Sequence, residues 1–302
     1  MAILSSLIAR SLPLVPKPIV WHFARPYIAG RTLEDGIRVV RDLNARGIMA
    51  TMDVLGESVR TREESLHMRA QCAEVLRTID RERLDSNLSL KPTQMGLSFD
   101  ISFCEENIRF LCEIAREQGN FVRIDMEDHP TTDATLRMYE RLRRDYQGHV
   151  GTVVQAYMRR SENDIRTLLA GGPTNLRLCK GIYIEPVSIA YRDREEVRDN
   201  FSRLLRILFE GGAYVGIATH DDVLIERALA LVREFKLQRN DYEFQMLLGV
   251  RPRRRDELVA MGHRLRVYVP FGEQWYAYST RRLKENPNVA MHIVKAVFGI
   301  GQ

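Results

Sequence analysis

The sequence predicts an α/β fold, a (β/α)8 barrel of the TIM type, and three observations predict it. Short segments rich in apolar and β-branched residues alternate with amphipathic segments of helical period from about residue 48 onward. There are eight such pairs, and strands that alternate with helices pair in parallel through right-handed crossovers. No Gly-rich phosphate loop of the G-x-G-x-x-G or Walker type follows a strand, which argues against an open nucleotide-binding sheet. A closed barrel is therefore expected.

The elements follow one another at short intervals along the chain. The strands are predicted, in order, at residues 48–54, 88–91, 121–126, 152–157, 176–181, 214–219, 242–247 and 266–269. A helical pattern follows each strand, and the first three helices are predicted at residues 63–79, 105–118 and 132–146. Pro270 and Gly272 are expected to end the eighth strand. A final helix is predicted over residues 275–284, above the barrel mouth.

The chain is expected to form one large domain with an additional arm. Its 302 residues suit a single α/β barrel, and the 45% hydrophobic and 28% charged fractions are typical of a soluble globular protein. Residues 1–45 are predicted to be extra helices outside the barrel, and residues 46–302 to be the barrel. No linker is long or polar enough to define a second domain.

The cellular context is also constrained by the sequence. No segment approaches twenty uninterrupted apolar residues, and the apolar start carries Arg10 and several prolines, unlike a signal peptide. The four cysteines show no C-x-x-C spacing, so neither a zinc site nor a disulfide framework is expected, and a reducing cytoplasm fits. Residues 289–300 are apolar, and they are expected to pack on the barrel or to touch a lipid surface.

The net charge of +5 raises the question of a nucleic-acid partner. The densest basic cluster, Arg251 with residues 253–255, is followed at once by Asp256 and Glu257, and no aromatic side chains are interleaved. This pattern is typical of a solvated helix start. No nucleic-acid partner is expected.

Polar side chains end nearly every predicted strand. Catalytic groups of such barrels lie at the carboxyl ends of the strands, so these side chains should meet at one mouth. Singly, each could cap a helix or satisfy the backbone. Together their cations favour an anionic ligand or product. In chain order they are Asp53 with Glu57, Lys91, Asp125, Gln155 with Tyr157, Arg177 with Lys180, Thr219 with His220, Glu243 with Gln245, and Tyr268.

The end of the chain adds two adjacent guanidiniums, Arg281 and Arg282, on the final predicted helix. The planar fork of arginine binds carboxylates through two parallel hydrogen bonds and keeps its charge. A terminal helix over the pocket could present both side chains to a ligand. The alternative is a solvated pair near a helix C-terminus, stabilised by the helix dipole.

The strand-end residues resemble the motifs of the proline dehydrogenase family. They occur in family order from about residue 50 to 287. Ile182 and Ile184 depart from the family's commoner Ala and bulkier residues, which affects flavin packing and not the chemistry. The motifs are Lys91, Ile124-Asp125-Met126-Glu127, Arg177-Leu178-Cys179-Lys180-Gly181-Ile182-Tyr183, Ala218-Thr219-His220-Asp221, Glu243-Phe244-Gln245-Met246-Leu247, and Tyr268 with Tyr278, Arg281, Arg282 and Glu285.

The resemblance implies a distorted (β/α)8 barrel that binds FAD noncovalently. It implies oxidation of L-proline to Δ1-pyrroline-5-carboxylate by hydride transfer to flavin N5, the first step of proline catabolism, with electrons passed to a membrane quinone. A cytoplasmic protein in peripheral contact with the inner face of the membrane would fit such an acceptor.

The resemblance also implies residue roles. Arg281, Arg282 and Lys91 would hold the substrate carboxylate. Tyr268, Tyr278 and Leu247 would wall the ring, and Asp125 would orient Tyr268 or Arg281. Glu57 would pair with Arg281 when the site closes and so act as a gate. The residues expected to bind FAD are Met126, Gln155, Arg177, Lys180, Gly181, Thr219, His220, Gln245 and Glu285.

Two other functions fit part of the pattern. A class I aldolase-type barrel would use Lys91 or Lys180 to form a Schiff base with a carbonyl substrate, but it gives no role to Arg281 and Arg282. A basic scaffold that binds nucleic acid or acidic lipids would rest on the charge surplus alone, and salt-sensitive binding without a flavin would be its signature.

Overall fold

The computed structural model of the protein describes residues 17–56, 59–276 and 278–280. Several residues singled out from the sequence lie outside this described part. They are Glu57, Arg281, Arg282, Glu285 and the apolar residues 289–300.

Eight parallel strands close into a barrel, in the order of the sequence. Each strand pairs with its neighbours, and β8 returns to β1, where Met49 lies opposite Arg266. This closure confirms the predicted (β/α)8 fold. The strands are β1 (Met49–Val54), β2 (Ser86–Leu90), β3 (Val122–Ile124), β4 (Val150–Gln155), β5 (Asn175–Cys179), β6 (Tyr214–Ala218), β7 (Tyr242–Leu247) and β8 (Leu265–Phe271).

Helices surround the barrel, and within the described residues two α-helices precede it. The helices that precede the barrel are α1 (Lys17–Ala24) and α2 (Leu33–Asn44). The helices between strands are α3 (Arg62–Arg81), α4 (Ile101–Glu117), α5 (His129–Asp145), α6 (Ser161–Ala170), α7 (Arg194–Glu210), α8 (Asp222–Glu234) and α9 (Pro252–Ala260). The division of the chain into an arm of residues 1–45 and a barrel of residues 46–302 stays a prediction.

Local sequence explains where several helices start. Thr61 accepts a hydrogen bond from the backbone N–H of Glu64, and the Glu64 carboxylate accepts one from the backbone of Thr61, which forms a capping box at the start of α3. Thr32 and Asp35 do the same at the start of α2. Each box satisfies N–H groups that have no partner within the helix.

The two faces of each strand differ in chemistry. On β7, Phe244 and Met246 belong to the apolar core between strands and helices. Glu243 and Gln245 alternate with them and hydrogen-bond across the barrel interior, to Arg266 and Arg177 respectively. Because successive side chains of a strand point to opposite faces, one strand contributes to both regions.

The predicted end of the eighth strand is wrong. Pro270 was expected to break the strand, but β8 continues through Phe271. The fixed φ of proline is compatible with an extended strand, and only its N–H is missing from the ladder. Its carbonyl still accepts from the N–H of Ala29 at 2.9 Å, and that of Phe271 accepts from Leu55 at 2.8 Å.

Helix α1 packs on the segment that follows β8. Trp21 and Trp275 meet edge to face with ring centroids 4.7 Å apart, and the guanidinium of Arg31 lies over both rings. Tyr278 belongs to the same apolar cluster as Trp275. Residues 275–276 and 278–280 are helical, as predicted for the start of the final helix, and the rest of that helix lies outside the described residues. No helix of the described chain has the length and apolar character needed to cross a membrane.

Candidate active site

A cavity of about 760 Å³ lies at the carboxyl ends of the strands. Four residues expected at the site, Glu57, Arg281, Arg282 and Glu285, lie outside the described part of the chain. The thirteen others all line this cavity: Lys91, Asp125, Met126, Gln155, Arg177, Lys180, Gly181, Thr219, His220, Gln245, Leu247, Tyr268 and Tyr278. The structure therefore brings together residues that are far apart in sequence.

The carboxylate of Asp125, which lines the cavity, accepts three hydrogen bonds. Its Oδ1 accepts hydrogen bonds from Ser89 at 2.7 Å and from Nη1 of Arg177 at 2.6 Å, and its Oδ2 accepts from the hydroxyl of Tyr268 at 2.9 Å. The contact expected between Asp125 and Tyr268 is present. Burial, and then the charge of Asp125, raise the pKa of Tyr268 well above its ordinary value, so its hydroxyl remains a donor.

Lys91, which also lines the cavity, forms a buried ion pair with Asp53. Its Nζ lies 3.1 Å from Oδ1 and 3.2 Å from Oδ2 of Asp53, and the two side chains are 7% and 0% exposed. Such a pair is stable only when the geometry compensates for the desolvation of both charges. The pair holds the ammonium at the edge of the cavity, where it can contact an anionic ligand.

A second row of polar contacts runs beneath Arg177. Its Nε donates to Oε1 of Gln245 at 2.5 Å, and Nε2 of Gln245 donates to Oε1 of Glu243 at 2.6 Å. Glu243 also accepts from Nε of Arg266 at 2.7 Å. Burial would raise the pKa of Glu243, but the charge and hydrogen bond of Arg266 outweigh it and lower this pKa to about 2. Glu243 is therefore a carboxylate at neutral pH.

One side of the cavity is strongly cationic. Arg198 binds both oxygens of Asp221, through Nε at 3.0 Å and Nη2 at 2.8 Å, and Nζ of Lys180 lies 3.4 Å from the same carboxylate. Nη2 of Arg194 approaches Asp221 at 3.6 Å. Burial alone would raise the pKa of Asp221, but the hydrogen bond from Arg198 and the charge of Lys180 lower it to about 2. The Asp221 carboxylate thus holds three cationic side chains, those of Arg198, Lys180 and Arg194, close together.

Other expected residues are fixed by local contacts. The ring of His220 accepts at Nε2 from the backbone N–H of Leu247 at 2.8 Å, which joins the ends of β6 and β7. The side-chain amide of Gln155 donates to the carbonyl of Glu127 at 2.9 Å. Gly181 has φ +106°, and a Cβ there would lie 2.1 Å from the ring of Tyr157. A side chain would be strained and would collide, so glycine is required at this turn.

Sequence reasoning missed several residues of the site. Arg194, Arg198 and Arg251 line the cavity, but they lie in or beside helices, where a charged residue usually indicates a solvated face. Asp221 lies in one of the motifs, but the resemblance gives it no role, and the sequence predicts Asp53 only as a polar strand end. The sequence contains no local signal that pairs Asp53 with Lys91, because the partners are 38 positions apart.

The comparisons with known proteins agree with this geometry. The family model described as proline dehydrogenase matches residues 37–294. Proline dehydrogenase 1 of Bacillus subtilis subsp. natto is 36% identical over 274 residues, which cover 91% of this chain and 90% of the relative. Proline dehydrogenase of Deinococcus radiodurans is 33% identical over 282 residues, 92% of this chain and 91% of the relative. The chain belongs to the proline dehydrogenase family.

A solved structure supports the fold. The crystal structure of proline utilization A from Bdellovibrio bacteriovorus, inactivated by N-propargylglycine, superposes with a TM-score of 0.82 at 23% identity. The aligned region is 88% of this chain but 33% of that protein, so this chain spans about a third of its length. The family model and the curated relatives confirm the resemblance drawn from the motifs, together with the enzyme class, an oxidoreductase that acts on CH–NH bonds.

The cavity of this proline dehydrogenase family member has the size and charge that a flavin dinucleotide requires. Its volume lies within the usual 300–1,000 Å³ range of ligand pockets. The lining side chains include six cations and three carboxylates, an excess that suits a diphosphate and an anionic substrate. Apolar side chains of Met126 and Val153 line the cavity and offer faces for a planar ring. The residues present fit noncovalent FAD.

Proposed function

We propose that this protein oxidises L-proline to Δ1-pyrroline-5-carboxylate, using noncovalent FAD and passing electrons to a membrane quinone. The observation that carries the proposal is the convergence, in a family member, of thirteen predicted site residues on one cavity with an excess of cations. FAD, when bound, would accept at N5 the hydride that leaves the ring carbon beside the proline nitrogen.

The substrate carboxylate would be held by cations. By resemblance these are Lys91, Arg281 and Arg282, and the position of Lys91 at the cavity wall supports its part. An arginine fork fixes both the position and the orientation of a carboxylate. Arg281→Lys would keep the charge but lose the fork, so it should raise the KM for proline. Glu57 would close the site by pairing with Arg281.

The substrate ring would be walled by Tyr268, Tyr278 and Leu247, which all line the cavity. Asp125 would fix Tyr268 through the 2.9 Å hydrogen bond to its hydroxyl. A ring held on several sides cannot tumble, and orientation of the reacting carbon is one of the larger contributions to catalysis.

The cations would also act on the proline nitrogen. Positive side chains near the amine disfavour its protonated form, which exposes the lone pair that drives departure of the hydride. Asp53 offsets much of the charge of Lys91, so Arg281 and Arg282 would contribute most of this effect. A pH profile of proline reduction whose acid limb moves to higher pH when these arginines are neutralised would support this role, and an unchanged profile would count against it.

FAD would be held along the cationic side of the cavity. Arg177 would stabilise the negative charge of the reduced isoalloxazine, as a fixed charge placed where charge develops. Lys180, Thr219 and His220 would contact the phosphate and adenosine regions, and Gly181 would let the backbone turn beneath them. Gln155, Gln245, Met126 and Glu285 would complete the set by contacts to the ring and the ribityl chain.

The quinone acceptor implies a place for the protein in the cell. We propose a cytoplasmic protein that reaches the inner face of the membrane by peripheral contact. Sedimentation with quinone-containing vesicles, together with quinone-dependent turnover of proline, would test this part separately from the chemistry. Turnover with a soluble dye but not with any quinone would contradict it.

The central test is the absorption spectrum of the purified protein, with FAD added if needed. We expect the two flavin bands of an oxidised flavoprotein, and bleaching of the long-wavelength band on anaerobic addition of L-proline. D-proline and L-lysine serve as matched ligand controls: D-proline keeps the ring but inverts the carbon that carries the carboxylate, and L-lysine keeps the carboxylate but lacks the ring. A protein that stays colourless after FAD addition, or stays oxidised in excess L-proline, would overturn the proposal.

A further inference from the structure

A row of hydrogen bonds connects the floor of the barrel to the cavity. It runs from Arg266 through Glu243 and Gln245 to Arg177, with donor to acceptor distances of 2.7, 2.6 and 2.5 Å. Arg177 and Gln245 line the cavity, whereas Glu243 and Arg266 lie below it and do not. The buried pair at the floor therefore has no direct access to a ligand.

The carboxylate of Glu243 dictates which way the amide of Gln245 points. A carboxylate only accepts hydrogen bonds, so the Gln245 group that faces it must be the NH2. The amide oxygen then faces Arg177 and accepts from its Nε. If the amide were reversed, its oxygen would face a carboxylate and its NH2 would face a guanidinium, and both contacts would be repulsive.

The backbone at β6 is shaped around the same amide. A Cβ on Gly216 would lie 2.4 Å from Nε2 and 2.8 Å from Cδ of Gln245, so any side chain there would displace the amide. Gly216 pairs with Glu243 in the sheet and does not line the cavity. Its backbone φ is not in the region reserved for glycine, so the reason for glycine at this position is space.

The orientation of Gln245 in turn limits Arg177. With Nε held by Gln245 and Nη1 held by Asp125, two points fix the plane of the guanidinium. The guanidinium also lies over the ring of Tyr268, with its Cζ 5.3 Å from the ring centroid. The cation at the cavity floor is thus held in one place before any ligand arrives.

We propose that Glu243 and Gly216 are positioning residues: they fix the amide of Gln245, and through it they hold Arg177 in the orientation that stabilises reduced FAD. This inference rests on the proposed function, since it assigns Arg177 to the flavin. Neither residue lines the cavity, so the positioning effect of each passes through Gln245.

Loss of positioning and loss of charge would change the stability of the reduced flavin in opposite directions. Loss of the Glu243 carboxylate alone would remove a negative charge beneath the site and favour the reduced, anionic flavin. Loss of positioning would let Arg177 move and disfavour the reduced flavin. A variant that keeps the net charge unchanged therefore isolates positioning.

Two variants meet that condition. Glu243→Met combined with Arg266→Met removes the buried pair as a whole, and such pairs are often replaced by apolar residues without loss of folding. Gly216→Ala displaces the amide with one methyl group. In each we expect reduced FAD to bind about tenfold more weakly relative to oxidised FAD, which lowers the two-electron midpoint potential by about 30 mV. Equilibration of the holoenzyme with a reference dye measures this potential without proline turnover.

Tyr214→Phe is the matched control. The Tyr214 hydroxyl donates to the other oxygen of Glu243, at 2.8 Å, so its loss disturbs the same carboxylate at a similar depth but leaves the Gln245 contact in place. The potential should stay as in the wild type. In a Gln245→Met background, the Glu243→Met and Arg266→Met pair should cause no further fall, because the element that transmits the effect is gone.

The outcomes separate this proposal from the proposed function. A wild-type protein that binds no FAD overturns both, and one that binds FAD but is not reduced by L-proline overturns the proposed substrate alone. If the wild type is reduced by proline and either folded, charge-neutral variant keeps the wild-type potential, the positioning role is overturned. An equal fall in the Gln245→Met background would also overturn it, because the effect would then bypass Gln245.

Discussion

The inward and outward faces of the same barrel strands have opposite chemistry. On β5, Leu176 and Leu178 point outward into the apolar core and are fully buried, whereas Arg177 between them points inward to Asp125 and Gln245. On β8, Val267 and Val269 point outward, and Arg266 and Tyr268 point inward. Neighbouring residues of one strand therefore serve different purposes: one packs in the apolar core, and the next places a polar or charged group inside the barrel.

The difference teaches how this barrel separates stability from function. Barrel interiors of this type are usually filled by layers of branched apolar side chains. Here guanidiniums, carboxylates and amides fill much of the interior, and the apolar shell outside supplies the burial that drives folding. Substitutions on the outward face should change stability alone, and those on the inward face should change stability and ligand binding together.

The largest effect is expected for the inward pair of Lys91 and Asp53. Lys91→Met leaves the Asp53 carboxylate buried without its lysine, which should cost about 3–5 kcal/mol in the free energy of unfolding. It should also lower kcat/KM for proline by about tenfold to a hundredfold, since a hydrogen bond to a charged group contributes about 1.5–3 kcal/mol. Urea unfolding and proline kinetics measure the two effects.

The double variant Lys91→Met with Asp53→Asn is the control. It removes both charges, so most of the lost stability should return, while kcat/KM should stay low because the substrate carboxylate still lacks its cation. If proline kinetics recovered together with stability, Lys91 would have only a structural role. That result would remove the contrast between the two faces at this strand.

An outward substitution on β5 should have the next largest effect. Leu176→Ala removes a fully buried side chain from the shell and should cost about 3 kcal/mol in the free energy of unfolding. The proline KM of the folded enzyme should change less than twofold, although Arg177 is the next residue. Ile184→Ala, at a side chain that is 92% exposed, should change stability by less than about 0.5 kcal/mol. A tenfold change in KM for Leu176→Ala would contradict the separation.

The shell was largely predictable from the sequence, because its signal is local. Apolar side chains at alternate positions mark each strand, and turn residues mark its ends. β2 begins at Ser86, two residues before its predicted start, since Asn87 and Ser89 face the polar interior and interrupt the apolar pattern. The polar residues of the barrel interior are buried, so a rule that predicts buried positions from apolar character does not find them.

The sequence predicted which residues form the candidate site but not the contacts between them. Strand ends and motifs indicated that Asp125, Arg177 and Tyr268 would meet, but not which atoms would bond. The pair Glu243–Arg266 joins residues 23 positions apart on neighbouring strands of the closed sheet. Such pairings depend on the barrel register, and no local pattern of the chain encodes that register.

An effect of intermediate size is expected for Asp221, whose contribution to the free energy of unfolding should depend on pH. The pKa of Asp221 is lowered to about 2 in the folded protein, so its stabilising effect is present above the ordinary pKa near 3.8 and disappears as the pH falls toward 2. Asp221→Asn should therefore cost on the order of 2 kcal/mol at pH 6, and the difference from the wild type should shrink between pH 4 and pH 3. Urea unfolding at these pH values measures it.

Asp222→Asn is the matched control for that titration. The Asp222 side chain is 53% exposed, and its pair with Arg251 is open to solvent, so its loss should cost less than about 1 kcal/mol at every pH. A difference between Asp221→Asn and the wild type that stayed constant from pH 6 to pH 3 would mean that Asp221 contributes by packing and not by its charge.

The smallest effect is expected for the hydroxyl of Tyr268. Tyr268→Phe keeps the ring that would wall the substrate and removes one hydrogen bond to Asp125, which still accepts from Ser89 and Arg177. The free energy of unfolding should fall by about 1 kcal/mol, and the KM for proline should rise a few-fold as the ring loses its anchor.

The pH profile makes this last prediction specific to the inward face. Burial, followed by the charge of Asp125, keeps the pKa of Tyr268 well above its ordinary value, so the hydroxyl does not titrate in the working range and its removal should leave both limbs of the kcat/KM profile in place. Tyr242→Phe, which removes the hydroxyl that contacts His263 at 2.6 Å, should change neither KM nor profile. A shifted limb in Tyr268→Phe alone would mean that this hydroxyl exchanges a proton during the reaction, a role beyond holding the ring.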